Sequence, residues 1–309
     1  MTDRNRIDRS WVVEPEDERT HPRGPEPLWN ESWYFDFVAD DGEFGGYVRV
    51  GLVPNQGTAW VLVAFTGPDL PAVMIDDQAA PLPAEGTDPN TVTDRYRLEL
   101  QVLEDLTAWR VHGDGTARRD PTSADEPAGS DVEIDFDLTW TTDGTPYRYP
   151  IGARYEIPCV VDGSVTVDGR RRQITAAVGQ RDHSWGERDW EAMSWCWSAA
   201  RLADGARAHL TQLQIGDATV TVGYTQADGS LLPVTEATVD IAGDLDHPDG
   251  THLVLGPDGE QLSVVPVAFA STAVITRDGS KRAFPRAMAS FTPPAGDPGW
   301  GWIEWNHPG

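Results

Sequence analysis

Lysine is almost missing from this chain: Lys281 stands alone among 24 basic residues, and the rest are arginine. One amine offers little for Schiff-base chemistry. The arginine bias fits either a high-GC genome or a salt-adapted source. Cysteine is nearly as scarce, with Cys159 and Cys196 the whole supply. Two thiols build no disulfide framework and predict buried thiols in a reducing cytoplasm. No apolar run approaches the roughly 20 residues of a membrane-spanning helix. The opening stretch, MTDRNRIDRSWVVEPEDERTHPRGPEP, lacks the apolar segment of a secretory signal. These absences predict a soluble, cytoplasmic protein.

Positive charge is short as well. With 50 acidic residues against 24 basic ones, the formal net charge is −26. Nucleic acid and anionic membrane surfaces would repel such a chain, so neither is an expected partner. Helical periodicity is nearly absent. No glycine-rich phosphate loop follows a strand and opens a helix, so no nucleotide cofactor is expected.

What the sequence has in quantity is period-2 alternation. In DVEIDFDLTW, Val132, Ile134, Phe136 and Leu138 share one side, and Asp131, Glu133, Asp135 and Asp137 the other. That is a half-buried antiparallel strand with an acidic outer face. DRYRLELQVLED repeats the pattern, and RAHLTQLQIG, ATVTVGYTQ, HLVLG and RAMASFT read as further strands. Asp-Gly occurs ten times, at 41, 114, 143, 162, 168, 204, 228, 249, 258 and 278. Both residues tolerate the positive φ of a tight hairpin, so these pairs predict an all-β meander that closes into barrels or sandwiches.

Residues 76–91 and 115–131, rich in Pro, Gly and Asp, read as long loops. Two of the three prolines in GTPYRYPIGARYEIPC (144–159), Pro146 and Pro150, break the strand pattern and mark a crossover. The predicted organisation is a loosely held arm over 1–20, a β domain over 21–150 and a second over 151–309.

Tryptophan is abundant, with 13 residues. Trp195 and Trp197 alternate along SWCWSAARL, as do Trp300 and Trp302 in GWGWIEW, so each pair faces one way on a strand. Any single indole is simply a good core residue. Two strands with paired indoles point instead to an aromatic-lined cavity for an apolar ligand.

The densest polar stretch, GQRDHSWGERDW (179–190), precedes the first of these strands. Asp182, His183 and Ser184 are consecutive, and neighbours on an extended chain face opposite ways, so they form no relay among themselves. Asp182, His183, Glu187, Asp189 and His209 are possible metal ligands, but no H-x-H, H-E-x-x-H or C-x-x-C spacing is present, and no metal is expected. A third reading is general acid–base chemistry. A carboxylate at the edge of a Trp-lined space loses hydration, its pKa rises, and it can deliver a proton to an alkene. The residues leave a plainer alternative open, a polar turn in which Asp182 and Glu187 pair with Arg181 and Arg188.

The order G-x-x-D-H-x-W-G (Gly179, Asp182, His183, Trp185, Gly186), then SWCWSAARLADG, then GWGWIEWN, resembles the hydroxyneurosporene synthase (carotenoid 1,2-hydratase, CrtC) and AttH-like superfamily. The resemblance covers 151–309. It implies two packed lipocalin-like β-barrel domains with ligand near their junction. It also implies an activity among those of the family, which include hydration of isoprenoid double bonds and Diels–Alder cyclisation. Carried over residue by residue, Asp182 and His183 become the acid–base pair and Trp185 part of the pocket wall, with Trp195 and Trp197 beside it. His209 and Trp302 complete the expected substrate-binding set. The expected function is a cofactor-independent hydratase or cyclase of a terpenoid-like molecule. Its rivals are a lipocalin-like carrier for an apolar metabolite and a Diels–Alderase-type pericyclase.

Overall fold

A computed structural model of the chain describes residues 12–120, 129–256 and 259–307. The all-β architecture expected from the alternation is what the chain adopts: two large antiparallel sheets and a small two-stranded one. The first is built from β1 (Trp29–Val38), β2 (Gly45–Val53), β3 (Thr58–Gly67), β4 (Leu70–Ala80), β5 (Thr91–Val92) and β6 (Tyr96–Glu104). It continues with β7 (Ala108–Arg119), β8 (Ser130–Thr142), β9 (Tyr147–Arg148), β10 (Ala153–Val167) and β11 (Arg170–Glu187). The order β4-β3-β2-β1-β11-β10-β8-β7 closes on itself where Val73 and Met74 pair with Arg119 and Arg118. Closure leaves no free edge within that ring. Its interior is filled by Phe35, Phe37, Val111, Phe136, Leu138, Trp140 and their neighbours. The apolar set on β8 points inward, as its alternation requires.

The second sheet holds β12 (Ser194–Arg201), β13 (Arg207–Ile215), β14 (Ala218–Ala227), β15 (Ser230–Val234), β16 (Ala237–Asp244) and β17 (His247–Leu255). It is completed by β18 (Glu260–Phe269), β21 (Arg286–Thr292) and β22 (Gly299–Asn306), while β19 (Thr272–Ile275) and β20 (Lys281–Phe284) pair separately. Leu210 of β13 and Leu253 of β17, far apart in strand order, meet in one core, so the sheet is curled. A further cluster joins the two sheets: Tyr34, Val38, Tyr47, Leu62 and Met74 from the first against Trp195, Trp197, Met288 and Trp302 from the second.

Several expectations shift. The division at 150/151 does not coincide with the sheets, because the β10–β11 hairpin belongs to the first barrel, which runs to Glu187. That assignment depends on β11 pairing with β1, whose Ser32 lies 152 residues from Ser184. Residues 76–80 are strand rather than loop, and so are 115–119 and 130–131. Residues 121–128 of the second expected loop, and 1–11 of the arm, lie outside the described residues. The described part of the arm is not loose: a 3₁₀ turn over Pro15–Glu18 brings Glu18 to 1% exposure. Its carboxylate accepts hydrogen bonds from Tyr155 Oη (2.6 Å), Trp109 Nε1 (2.5 Å) and Arg181 Nη1 (2.6 Å).

The Asp-Gly pairs do not all make turns. Asp168 and Gly169, at φ 52° and 71°, make the two-residue turn of the β10–β11 hairpin, the mirror-image turn whose twist suits right-twisted strands. Gly163 instead sits inside β10 at a register shift, with φ 142° and a Cβ position blocked by the Asp137 carbonyl. That is a bulge. Both thiols are free and buried. No described helix is long and apolar enough to cross a membrane.

Candidate functional site

Strand register lays out the site. Across β2, β1, β11 and β10, Arg49, Tyr34, Asp182 and Glu156 stand opposite one another in a single row. Two residues along, and therefore on the same face, the next row holds Gly51, Ser32, Ser184 and Arg154. This face of the first barrel looks toward the second sheet. There Arg286, Glu304, Trp197 and Thr211 form a facing row across β21, β22, β12 and β13, with Trp195 and Leu213 beside it.

A cavity of about 60 Å³ lies between these rows. Tyr34, Trp190, Met193, Trp195, Trp197 and Leu213 give it an apolar side, and Arg49, Arg154, Asp182, Arg188, Arg286 and Glu304 a charged one. The apolar pocket expected from the sequence is thus only half apolar. Arg188 and Trp190 also line a neighbouring cleft of about 290 Å³, so the segment after β11 is the wall between the two spaces. The Trp190 indole packs edge-on against Trp60 and Trp195, and its carbonyl accepts from Asn306 Nδ2 at 3.1 Å.

Asp182 Oδ2 accepts from Arg154 Nη2 at 2.9 Å, and the carboxyl's other oxygen makes no hydrogen bond among the described residues. Burial pushes this carboxyl up to about 7, reinforced by Glu156 and Glu304 and opposed by Arg154 and Arg188. Glu156, fully buried, takes hydrogen bonds from Arg154, Gln180, Tyr149 and the Trp197 indole. Glu304 pairs with Arg286 and accepts from Trp195 Nε1 at 2.9 Å. Burial pushes the Glu304 carboxyl up, but Arg286, the Trp195 hydrogen bond and Arg154 together hold it below its ordinary value. The plainer reading of the polar stretch does not hold: Asp182 pairs with Arg154, while Arg181 pairs with Glu18 on the other face.

Not all expected site residues meet. Asp182, Trp195 and Trp197 line the cavity. His183 and Trp185 point into the first barrel, as the period of two dictates, so His183 is not a partner of Asp182 and Trp185 is not part of this wall. His183 Nδ1 lies 2.8 Å from the Asp17 carbonyl and Nε2 3.0 Å from Glu31 Oε1, and Trp185 stacks on His21 at 3.7 Å. His209 sits behind the cavity, with Nε2 2.8 Å from Tyr149 Oη and Nδ1 2.9 Å from the Ser198 carbonyl. Burial drives its pKa down to about 3, so it stays neutral. Trp302 is fully buried at the joint between the sheets, donating to the Phe37 carbonyl at 3.0 Å.

Among the described residues, the group best arranged to hold a metal is one the spacing did not reveal. His21, Glu31 and His183 offer ligand atoms within 4.8 Å of one another. Glu31 accepts from both histidines, whose hydrogen bonds overcome its burial and keep its carboxyl below the ordinary value. Arg49, Arg154, Arg286 and Glu304 also line the cavity without having been expected there, and Arg188, expected only as a partner within a polar turn, joins them. A signal was there: Arg49 is the lone charge in GGYVRVGLV, and Glu304 the lone charge in GWGWIEWN.

A family model described as a domain of unknown function, DUF7064, matches residues 14–309. The chain belongs to the DUF7064 family. No curated protein matches its sequence. Among solved structures it is similar to an AttH candidate (NE1406) from Nitrosomonas europaea, with TM-score 0.66 and 14% identity over 95% of this chain and 96% of that one. It is also similar to CghA in complex with Sch210972, with TM-score 0.63 and 16% identity over 91% and 89% of the two chains. Kievitone hydratase from Nectria haematococca aligns with TM-score 0.62 and 10% identity over 99% and 94%. At these identities the likeness is one of fold.

Proposed function

We propose that this protein is an enzyme that needs no organic cofactor and transfers a proton from Asp182 to an unsaturated, terpenoid-like molecule, as a hydratase or cyclase. The observation that carries the reading is a buried carboxyl on the wall of an inter-sheet cavity that Trp195 and Trp197 also line; the cavity takes only the reacting end of the molecule, and the rest extends past Arg188 and Trp190 into the cleft of about 290 Å³. Kievitone hydratase shares the fold. With its pKa near 7, Asp182 holds a proton at neutral pH while remaining acidic enough to give it up.

In the hydratase form, the carboxyl proton adds to one alkene carbon and the other becomes a cation. The indole faces stabilise that charge through their quadrupoles. Water supplies an electron pair to the cation and loses a proton to the Asp182 carboxylate, which restores the acid. In the cyclase form an internal π bond replaces water as the nucleophile, closing a ring and moving the cation to its far carbon; loss of a neighbouring C–H proton to the Asp182 carboxylate then forms a new alkene and restores the acid. Arg154 orients the carboxyl by holding Oδ2.

The test begins with native mass spectrometry of the purified chain to identify a retained molecule. That molecule, and a panel of unsaturated terpenoids, are then incubated with the protein in D2O. Wild-type protein is expected to place deuterium on carbon, and Asp182→Asn to bind the same molecule without doing so. Deuterium transfer by the Asn variant at the wild-type rate refutes the role of Asp182. Binding with no turnover by the wild type favours a carrier.

A further inference from the structure

Within a chain of net charge −26, the cavity collects four arginines and two acids. Two of the four are matched, since Arg154 pairs with Asp182 and Glu156, and Arg286 with Glu304. Arg49 and Arg188 have no carboxylate within ion-pair distance among the described residues. Among the described residues the Arg188 guanidinium donates only to Ser184 Oγ, at 3.0 Å. Arg49 is 4% exposed, and its Nη1 and Nη2 find no acceptor among the described residues. Its guanidinium lies 5.2 Å from the Trp190 ring centre. It also folds back over Gly51, where any Cβ would come 2.5 Å from Nη1. The backbone has made room for a charge that no described carboxylate pairs with, although Asp182 and Glu304 lie close enough to favour it.

Leaving a guanidinium buried without a partner is costly, and two near each other cost more. Burial and the neighbouring Arg188 pull Arg49 down to about 9, and burial with Arg154 pulls Arg188 down to about 10. An anion entering the cavity relieves both. Asp182 and Glu304 in the same space disfavour a dianion, the apolar side favours an organic skeleton, and the flat fork of arginine suits a flat oxyanion. We propose that the molecule taken by this cavity carries a planar organic oxyanion, of which a carboxylate is the simplest, held by Arg49 and Arg188 while its unsaturated carbons lie against Trp195 and Trp197. This rests on the reading of the cavity as the reaction site and adds the substrate class. The anion fixes which carbon meets the Asp182 proton.

The experiment measures thermal unfolding and Trp emission of the full chain at fixed ionic strength with sodium formate, benzoate and cinnamate. The uncharged partners are cinnamyl alcohol and methyl cinnamate. Carboxylates are expected to raise Tm, and cinnamate to bind at least about tenfold tighter than either neutral partner, as charge-assisted hydrogen bonds imply. Arg49→Met and Arg188→Met each remove that preference. If one does not fold, the other serves, and Gly51→Ala displaces the Arg49 guanidinium without removing it. Equal binding of charged and neutral partners, a preference that survives both Met variants, or no response of the wild type to any carboxylate overturns the proposal. Asp182→Asn separates the two readings. It keeps the carboxylate preference while losing deuterium transfer if both hold. Full deuterium transfer with the preference intact overturns proton transfer alone. Lost transfer with no preference in the wild type overturns the anion alone.

Discussion

Replacing Asp182 by Asn removes one ionisation and little else, since the amide oxygen can still accept from Arg154. Moving a carboxyl from its ordinary 3.8 to about 7 in the native state corresponds to about 4 kcal/mol of preference for the neutral form. The sign follows from proton binding. Below the ordinary value both states are protonated and folding loses nothing. As pH rises toward about 7 the unfolded chain releases the proton and the native chain keeps it, so stability falls by about 1.4 kcal/mol per pH step. Above about 7 the native carboxyl ionises too, and the full loss is in place. The Asn variant feels none of this. Between pH 5 and pH 8 the stability difference is therefore expected to move in favour of Asn by about 3 kcal/mol. Urea unfolding of both proteins at pH 5, 6, 7 and 8 measures it, and taking the difference cancels every other titrating group. Parallel curves, within about 1 kcal/mol, would mean that Asp182 is ionised throughout and is no acid at neutral pH.

Glu18→Gln strips Arg181 of its one ion-pair partner among the described residues and is expected to cost about 3–5 kcal/mol at pH 7, read from the urea midpoint. The native Glu18 carboxyl is held below its ordinary value chiefly by Arg181, against burial. Its stabilisation is present above that ordinary value and fades as pH falls through the lowered one, so wild type and variant should converge in acid. An unchanged midpoint at pH 7 refutes the clasp. Trp190→Ala joins the 60 Å³ cavity to the 290 Å³ cleft. It should cost about 3 kcal/mol as a large-to-small change, discounted because Trp190 is partly exposed. It should also speed acrylamide quenching of the remaining indoles. Unaltered quenching would place the access route elsewhere.

The sequence by itself determined most of what is local here. Alternation at Val132, Ile134, Phe136 and Leu138 set strand and face together, because side chains on a pleated chain must alternate. The same rule sent Asp182 and His183 to opposite sides, and it assigned Trp195 and Trp197 to one face, where both line the cavity. Asp168-Gly169 made its turn because both residues accept positive φ. Asp162-Gly163 has the same letters and makes a bulge, since whether a chain turns or continues depends on the strand beside it. Tertiary structure alone decided the pairings. That β11 lies between β1 and β10, and so in the first barrel, is a hydrogen-bond register between distant segments that no local pattern encodes. That register aligned Arg49, Tyr34, Asp182 and Glu156, and the packing of two sheets brought Arg286 and Glu304 opposite them. The charge left over at Arg49 and Arg188 exists only in that assembly, because pairing and desolvation are properties of neighbours in space, not in sequence.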